Sequence, residues 1–211
     1  MNSSEKEISY NITNTYSTLN TITAKTKNVW FVCHGIDYLS RYFLKYFAEL
    51  NTEENYIIAP QAISKHYLGT NYKYVGASWL TKENTQTEIE NVMRNFDAIF
   101  EAEHIPRSAN LIVLGYSQGV SVALRYVARR KLKCSHLVMM SGGIPNELTT
   151  NDFKFLNAKA YFVYGNQDEF INEERLRLER HKVDILFGNS VTIIPFEGKH
   201  VVNKEFINSL V

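Results

Sequence analysis

The chain has 211 residues, 45% of them hydrophobic and 21% charged, with a formal net charge of +1. That length can bury a sizeable core, and that composition excludes a disordered or collagen-like chain. Near-neutral charge gives no footing for nucleic acid or an anionic membrane as partner, and no apolar run is long enough to span a bilayer.

In chain order, the opening "MNSSEKEISYNITNTYSTLN" lacks an apolar h-region, so no secretory signal peptide is expected. Residues 7–22 alternate apolar and polar in part (Ile8, Tyr10, Ile12), which predicts an exposed edge strand or hairpin. Apolar runs at 29–34, 56–60, 111–115, 136–141, 160–165 and 191–196 read as buried strands. Between them, helical spacing covers about 39–50, 85–104, 118–131 and 171–187, with a last helix after 202. This alternation predicts an α/β fold with a mostly parallel sheet flanked by helices. Without a linker, low-complexity tract or repeat, residues 1–211 read as a single domain. Residues 61–80, carrying Tyr67, Tyr72, Tyr74 and Trp79, read as a loop too long for a simple connection. That loop either covers a site as a flap or packs on the sheet's edge. Arg129, Arg130, Lys131 and Lys133 read as a solvated helix end favoured by the helix dipole. Cys33 and Cys134 read as free thiols rather than a disulfide framework, which points to the cytoplasm.

The stretch "LIVLGYSQGV", residues 111–120, runs from a buried strand directly into a helix and leaves Ser117 at the turn. So tight a reversal forces its central residue toward strained φ/ψ, a kind of strain that clusters at active sites. Gly115 and Gly119 would relieve crowding between strand and helix. G-x-S-x-G in this context is the layout of a nucleophile elbow, which lifts a serine hydroxyl above the carboxyl end of a sheet. In open α/β sheets that end is where ligands bind.

A serine hydroxyl needs a base to take its proton, and the base needs a third group to hold it. Asp168 follows the strand at 160–165, and His200 follows the strand at 191–196. The order Ser117, Asp168, His200 is that of an α/β-hydrolase triad. Glu169 is the fallback acid. Asp152 and Asp184 read as structural, and none of His66, His104, His136 and His181 follows a strand in the required order. No His/Cys/Asp spacing suggests a metal. The oxyanion of a tetrahedral intermediate needs two fixed donors. The backbone N–H of Gln118 is one, and the N–H of Ile36, after His34-Gly35, is the other. His34 itself reads as structural, orienting that loop by a side-chain hydrogen bond.

Together "HGI" (34–36), "GYSQG" (115–119), "SGGIP" (141–145), "GNQDEF" (165–170) and "GKH" (198–200) resemble the phospholipase/carboxylesterase group of α/β-hydrolases, which includes the acyl-protein thioesterases. The resemblance spans most of the chain. It implies a serine esterase without cofactor, with Ser117, Asp168 and His200 as triad and Ile36 and Gln118 as oxyanion donors. It also implies that Trp79, in "GASWL", stands near the acyl pocket. Read from the residues themselves, Ile144 beyond the strand at 136–141 could line an acyl slot, and Trp79, Ile36 and Ile144 are the expected walls. Two departures are visible. The chain enters a helix almost directly after His34-Gly35, where the family commonly has a longer loop. Leu80 and Thr81 stand where an aspartate often follows the family's tryptophan. Residues 142–159 have too few periodic apolar positions to build a lid helix, so an open site for short to medium acyl chains is expected. The expected partner is a small-molecule ester or thioester, and a homodimer is the assembly to test. A non-catalytic binding protein on the same fold, or a peptidase or acyltransferase using the same triad, are the alternatives.

Overall fold

The six apolar runs all become strands of one sheet. The computed structural model describes residues 3–211, and its main sheet has the order β1 (Tyr16–Leu19), β3 (Asn55–Pro60), β2 (Asn28–Cys33), β6 (Asn110–Tyr116), β7 (His136–Met140), β8 (Lys159–Gly165), β9 (Val191–Phe196). Every pairing is parallel except that of β1 with β3. The separate strands β4 (Ser64–Leu68) and β5 (Tyr74–Ser78) pair antiparallel with each other. Residues 61–80, expected as a loop, are therefore mostly a β-hairpin.

Two other expectations are corrected. The edge strand or hairpin expected over 7–22 is only the four residues of β1, with no hairpin. Tyr16 is paired with Pro60, the last residue of β3, so the chain before Tyr16 has no strand left to join. Ile8, Tyr10 and Ile12 stay exposed. The helix expected over 39–50 is the short α1 (Ser40–Phe43) followed by a 3-10 turn at Leu44–Phe47. The remaining helices are α2 (Thr85–Ala102), α3 (Gln118–Arg130), α4 (Glu173–Phe187) and α5 (Lys204–Ser209). Among the described residues, no helix is long and apolar enough to cross a membrane.

β2 shows how the sheet feeds two cores. Alternate side chains of a strand point to opposite faces, and here both faces are covered. Val29, Phe31 and Cys33 belong to the core shared with α2, α3 and α4, where Phe31 meets Phe96 of α2 and Tyr126 of α3 directly. Trp30 and Val32 pack with Phe43, Phe47, Phe206 and Ile207 on the other side. Each fully buried side chain of this size contributes about 2 kcal/mol by its removal from water. At the amino end of the sheet, three neighbouring strands begin with asparagine. Asn110 Nδ2 donates to Asn28 Oδ1 (3.1 Å), and Asn28 Nδ2 donates to Asn55 Oδ1 (3.1 Å). Asn55 Oδ1 also accepts from the indole N–H of Trp30 (3.0 Å). A shift of one residue in any of these strands would break the row, so it pins the register of β3, β2 and β6.

At the other end, β2 delivers His34. Its Nδ1 lies 2.7 Å from the Gly35 carbonyl oxygen, and its Nε2 accepts from the Ala62 N–H at 3.2 Å. A carbonyl can only accept and an amide N–H can only donate, so both contacts fit one neutral tautomer. The loop-orienting role expected for His34 thus matches its contacts. Burial lowers its pKa from 6.5 to about 4. The unfolded chain then binds this proton more tightly than the folded one, so stability is full above about pH 6.5 and is lost as pH falls toward 4. The expected loss is about 3 kcal/mol over that window. Urea unfolding at pH 7 and pH 4 should show that much less pH dependence in His34→Gln than in the native chain. A second expectation concerns α3, which starts so close to β2 that a Cβ on Gly119 would overlap the Cys33 carbonyl oxygen. Gly119→Ala should cost about 3 kcal/mol of unfolding free energy, seen as a lower urea midpoint with the slope unchanged.

Candidate active site

Ser117 is the only residue between β6 and α3. Its φ of 53° and ψ of −121° are a conformation that costs a non-glycine residue roughly 1–3 kcal/mol. The surroundings hold it there. The Ser117 N–H donates to the Met140 carbonyl of β7 at 2.9 Å, and the Ser117 carbonyl accepts from the Val120 N–H at 3.1 Å. A Cβ on Gly115 would stand 2.5 Å from Val120 Cα. The two glycines flanking the turn are thus required by contact, as the spacing suggested.

Asp168 is placed by the turn that ends β8, where its N–H donates to the Gly165 carbonyl at 3.2 Å. Its carboxylate is fully buried. Oδ1 accepts from the Phe170 N–H (2.9 Å) and the Ile171 N–H (3.2 Å), while Oδ2 lies 2.8 Å from His200 Nδ1. His200 Nε2 is 2.9 Å from Ser117 Oγ. The imidazole sits between two rings, Tyr116 at 5.3 Å and Phe170 edge-on at 4.8 Å. The Tyr116 hydroxyl also donates to the His200 carbonyl at 2.9 Å. A carboxylate can only accept, so the proton belongs on Nδ1 and the Nε2 lone pair faces the serine hydroxyl. This is the arrangement a general base needs. Glu169 touches only the His200 backbone, accepting from its N–H at 3.4 Å. Hydrogen bonds from backbone N–H groups, its own first, hold the exposed Glu169 carboxyl below the usual range. It has no contact with the imidazole.

Gly35 lies directly against the serine turn, where a Cβ would meet Ser117 Cβ at 3.1 Å. Among the described residues, neither the Ile36 N–H nor the Gln118 N–H has an acceptor. The structure therefore brings five of the seven expected site residues together at the carboxyl end of the sheet. Trp79 and Ile144 differ. Trp79 is 1% exposed, its ring tilted against His34 and edge-on to Phe96, with its indole N–H donating to the His34 carbonyl at 2.7 Å. Ile144 is 3% exposed and its N–H donates to Glu179 Oε2 at 2.7 Å. Both are core residues that offer no surface for a substrate to touch. Trp79 braces the loop at Gly35 from behind, because its large ring needed a dry pocket and its N–H a carbonyl.

The side chain of Gln118 is a part that the sequence motif did not reveal. Its Oε1 accepts from the Trp79 N–H (2.8 Å) and its Nε2 donates to the Leu80 carbonyl (2.8 Å). The same residue that offers a free N–H at the start of α3 thus fastens that turn to the segment after β5. A polar residue at an otherwise apolar helix start was the available signal.

A family model described as Phospholipase/Carboxylesterase matches residues 14–210. No curated protein matches the sequence. Among solved structures, acyl-protein thioesterase 2 of Zea mays superposes with a TM-score of 0.69 at 13% identity, covering 94% of this chain and 96% of that one. A phospholipase/carboxylesterase from Dyadobacter fermentans gives 0.66 at 20% identity, covering 95% and 97%. Esterase PE8 gives 0.65 at 16% identity, covering 95% and 100%. At such identities these likenesses speak to the fold, and the family match over nearly the whole chain carries the rest: the chain belongs to the phospholipase/carboxylesterase family, a carboxylesterase-type hydrolase with the α/β-hydrolase fold.

Proposed function

We propose that the protein hydrolyses carboxylic esters, and thioesters, of short to medium acyl chains through an acyl-enzyme on Ser117. The observation that carries this reading is the continuous contact from Ser117 Oγ to His200 Nε2 (2.9 Å) and from His200 Nδ1 to Asp168 Oδ2 (2.8 Å). His200 takes the hydroxyl proton as Oγ attacks the ester carbonyl, and the carbonyl oxygen becomes an oxyanion facing the N–H groups of Ile36 and Gln118. Collapse of the tetrahedral intermediate expels the alcohol or thiol, which receives the proton from His200. Water, deprotonated by the same imidazole, then releases the acid. Asp168, with no solvent on its carboxylate, holds the ring in the required tautomer throughout. These residues run the reaction without a cofactor. Buried, unpaired Cys33 and Cys134 fit a reducing, cytoplasmic setting.

The acyl group would lie among apolar side chains at the mouth. Ile36, one of the expected walls, is exposed beside the oxyanion loop, and the exposed Phe170 and Val201 beside His200 take the places of the buried Trp79 and Ile144. Residues 142–159 hold a single 3-10 turn, Thr150–Phe153, and no lid helix. Each buried methylene gains about 0.8 kcal/mol only while a wall covers it.

Ser117→Ala should lower kcat/KM by about a thousandfold or more while the protein stays folded. Asp168→Asn should cost far more than Glu169→Gln, which should stay within a few-fold of the native rate. Retained turnover in folded Ser117→Ala would refute the acyl-enzyme on Ser117. Over p-nitrophenyl esters from about two to sixteen carbons, kcat/KM should rise over the first few carbons and then level or fall. A best substrate at about twelve carbons or longer, or a rate jump at the solubility limit, would instead mean that the hairpin closes over the chain.

A further inference from the structure

The turn that carries the Ile36 donor is tied down from outside the main sheet. Its first peptide is anchored by the Gly35 carbonyl, which faces His34 Nδ1 at 2.7 Å and accepts from the Tyr38 N–H at 3.3 Å. Its next peptide is held at the Asp37 N–H, which donates to the Ala77 carbonyl of β5 at 2.9 Å. Asp37 itself has a φ of 70°, a left-handed conformation uncommon for any residue with a side chain. Such a residue persists only where its surroundings hold it. The side chain supplies the hold: Asp37 Oδ1 lies 2.8 Å from His66 Nε2 on β4. His66 and Gly76 are paired across the hairpin. A Cβ on Gly76 would stand 2.7 Å from Asp37 Cα, so the hairpin lies flat against this residue.

We propose that β4–β5 is the clamp that aims the Ile36 N–H, and that His66 is a positioning residue for the esterase reaction, acting through Asp37. The proposal rests on the reading of Ile36 as an oxyanion donor. The hairpin has no strand pairing with the main sheet, so its hydrogen bonds to the turn are a specific use of its two strands. The pair is half exposed, with side-chain exposures of 42% for His66 and 51% for Asp37. An exposed pair contributes little to global stability. Its effect is local, in fixing both peptides of Ile36 before charge develops on the substrate. An oxyanion donor that must be reoriented during the reaction loses part of its advantage, so loosening the clamp should slow the chemical step and leave substrate binding alone.

The test compares His66→Ala, His66→Gln and His181→Gln, the last an exposed histidine on α4 outside these contacts. With p-nitrophenyl butyrate, His66→Ala should lower kcat about fivefold with KM within about twofold of native. His66→Gln, whose amide N–H can occupy the place of Nε2, should recover most of the loss. His66→Ala should add nothing in an Asp37→Ala background, since the tie is already gone. Amide hydrogen exchange at Asp37 should be faster in His66→Ala, with the melting temperature and His181→Gln unchanged. An unaltered kcat, a loss confined to KM, or a glutamine variant no better than alanine would overturn the proposal. If the native chain shows no turnover, or Ser117→Ala matches it, the esterase reading fails. The exchange measurement then still judges the clamp, with faster exchange supporting it and unchanged exchange overturning it.

Discussion

The positive φ of Ser117 is the constraint around which the site is arranged. One residue must turn a strand into a helix, and it can do so only if nothing stands beside it. Gly115 and Gly119 clear that space, and the cost of the backbone conformation is borne by the bond from Ser117 N–H to Met140. The strand order does the rest. Because β8 and β9 follow β7 in the sheet, the loops after them bring Asp168 and His200 to the same end as the serine. Tyr116, the last residue of β6, then reaches across to the His200 backbone, so the imidazole is located by the strand that leads into Ser117.

The two free N–H groups belong to elements distant in sequence, yet one short segment connects them. Residues 78–80 bind the Gln118 carboxamide on one side and, through the Trp79 indole, the His34 carbonyl on the other. That segment continues directly from β5, so the hairpin and the turn at Gly35–Asp37 are mechanically one piece. Trp79 does its work by being buried, which is why its closeness to the site does not make it a wall.

Much of this was legible from the chain. Apolar runs bounded by helical periodicity identified the six parallel strands, because a strand covered on both faces can hold few polar residues, although the edge strand β9 is only half-buried. Ser117, Asp168 and His200 were readable from order and position at strand ends. The hairpin at 64–78 was not, since Lys65, His66, Tyr67, Tyr72 and Tyr74 are exposed and carry no burial pattern. The shortened β1 was missed because its extent is set by where β3 stops, a tertiary fact. Trp79 and Ile144 were misjudged for a related reason: sequence locates a residue along a loop but not the direction of its side chain. The contact of His66 with Asp37 joins residues 29 apart through two exposed side chains, and no local signal marks it.

The row of asparagines at the start of β3, β2 and β6 has a consequence for how the chain is made. Asn28 pairs with Asn55 at a separation of 27 residues and with Asn110 at 82. β2 therefore gains one neighbour early in synthesis and the other only after residue 110 has left the ribosome. Until then, the wholly apolar strand Val29–Cys33 has an open edge, the kind of surface on which nascent chains aggregate. The polar row at the amino end gives that waiting edge a single correct partner, since a wrongly aligned strand would leave a buried amide unpaired. The same row that fixes register in the finished protein thus penalises misalignment in the longest-range pairing that β2 makes.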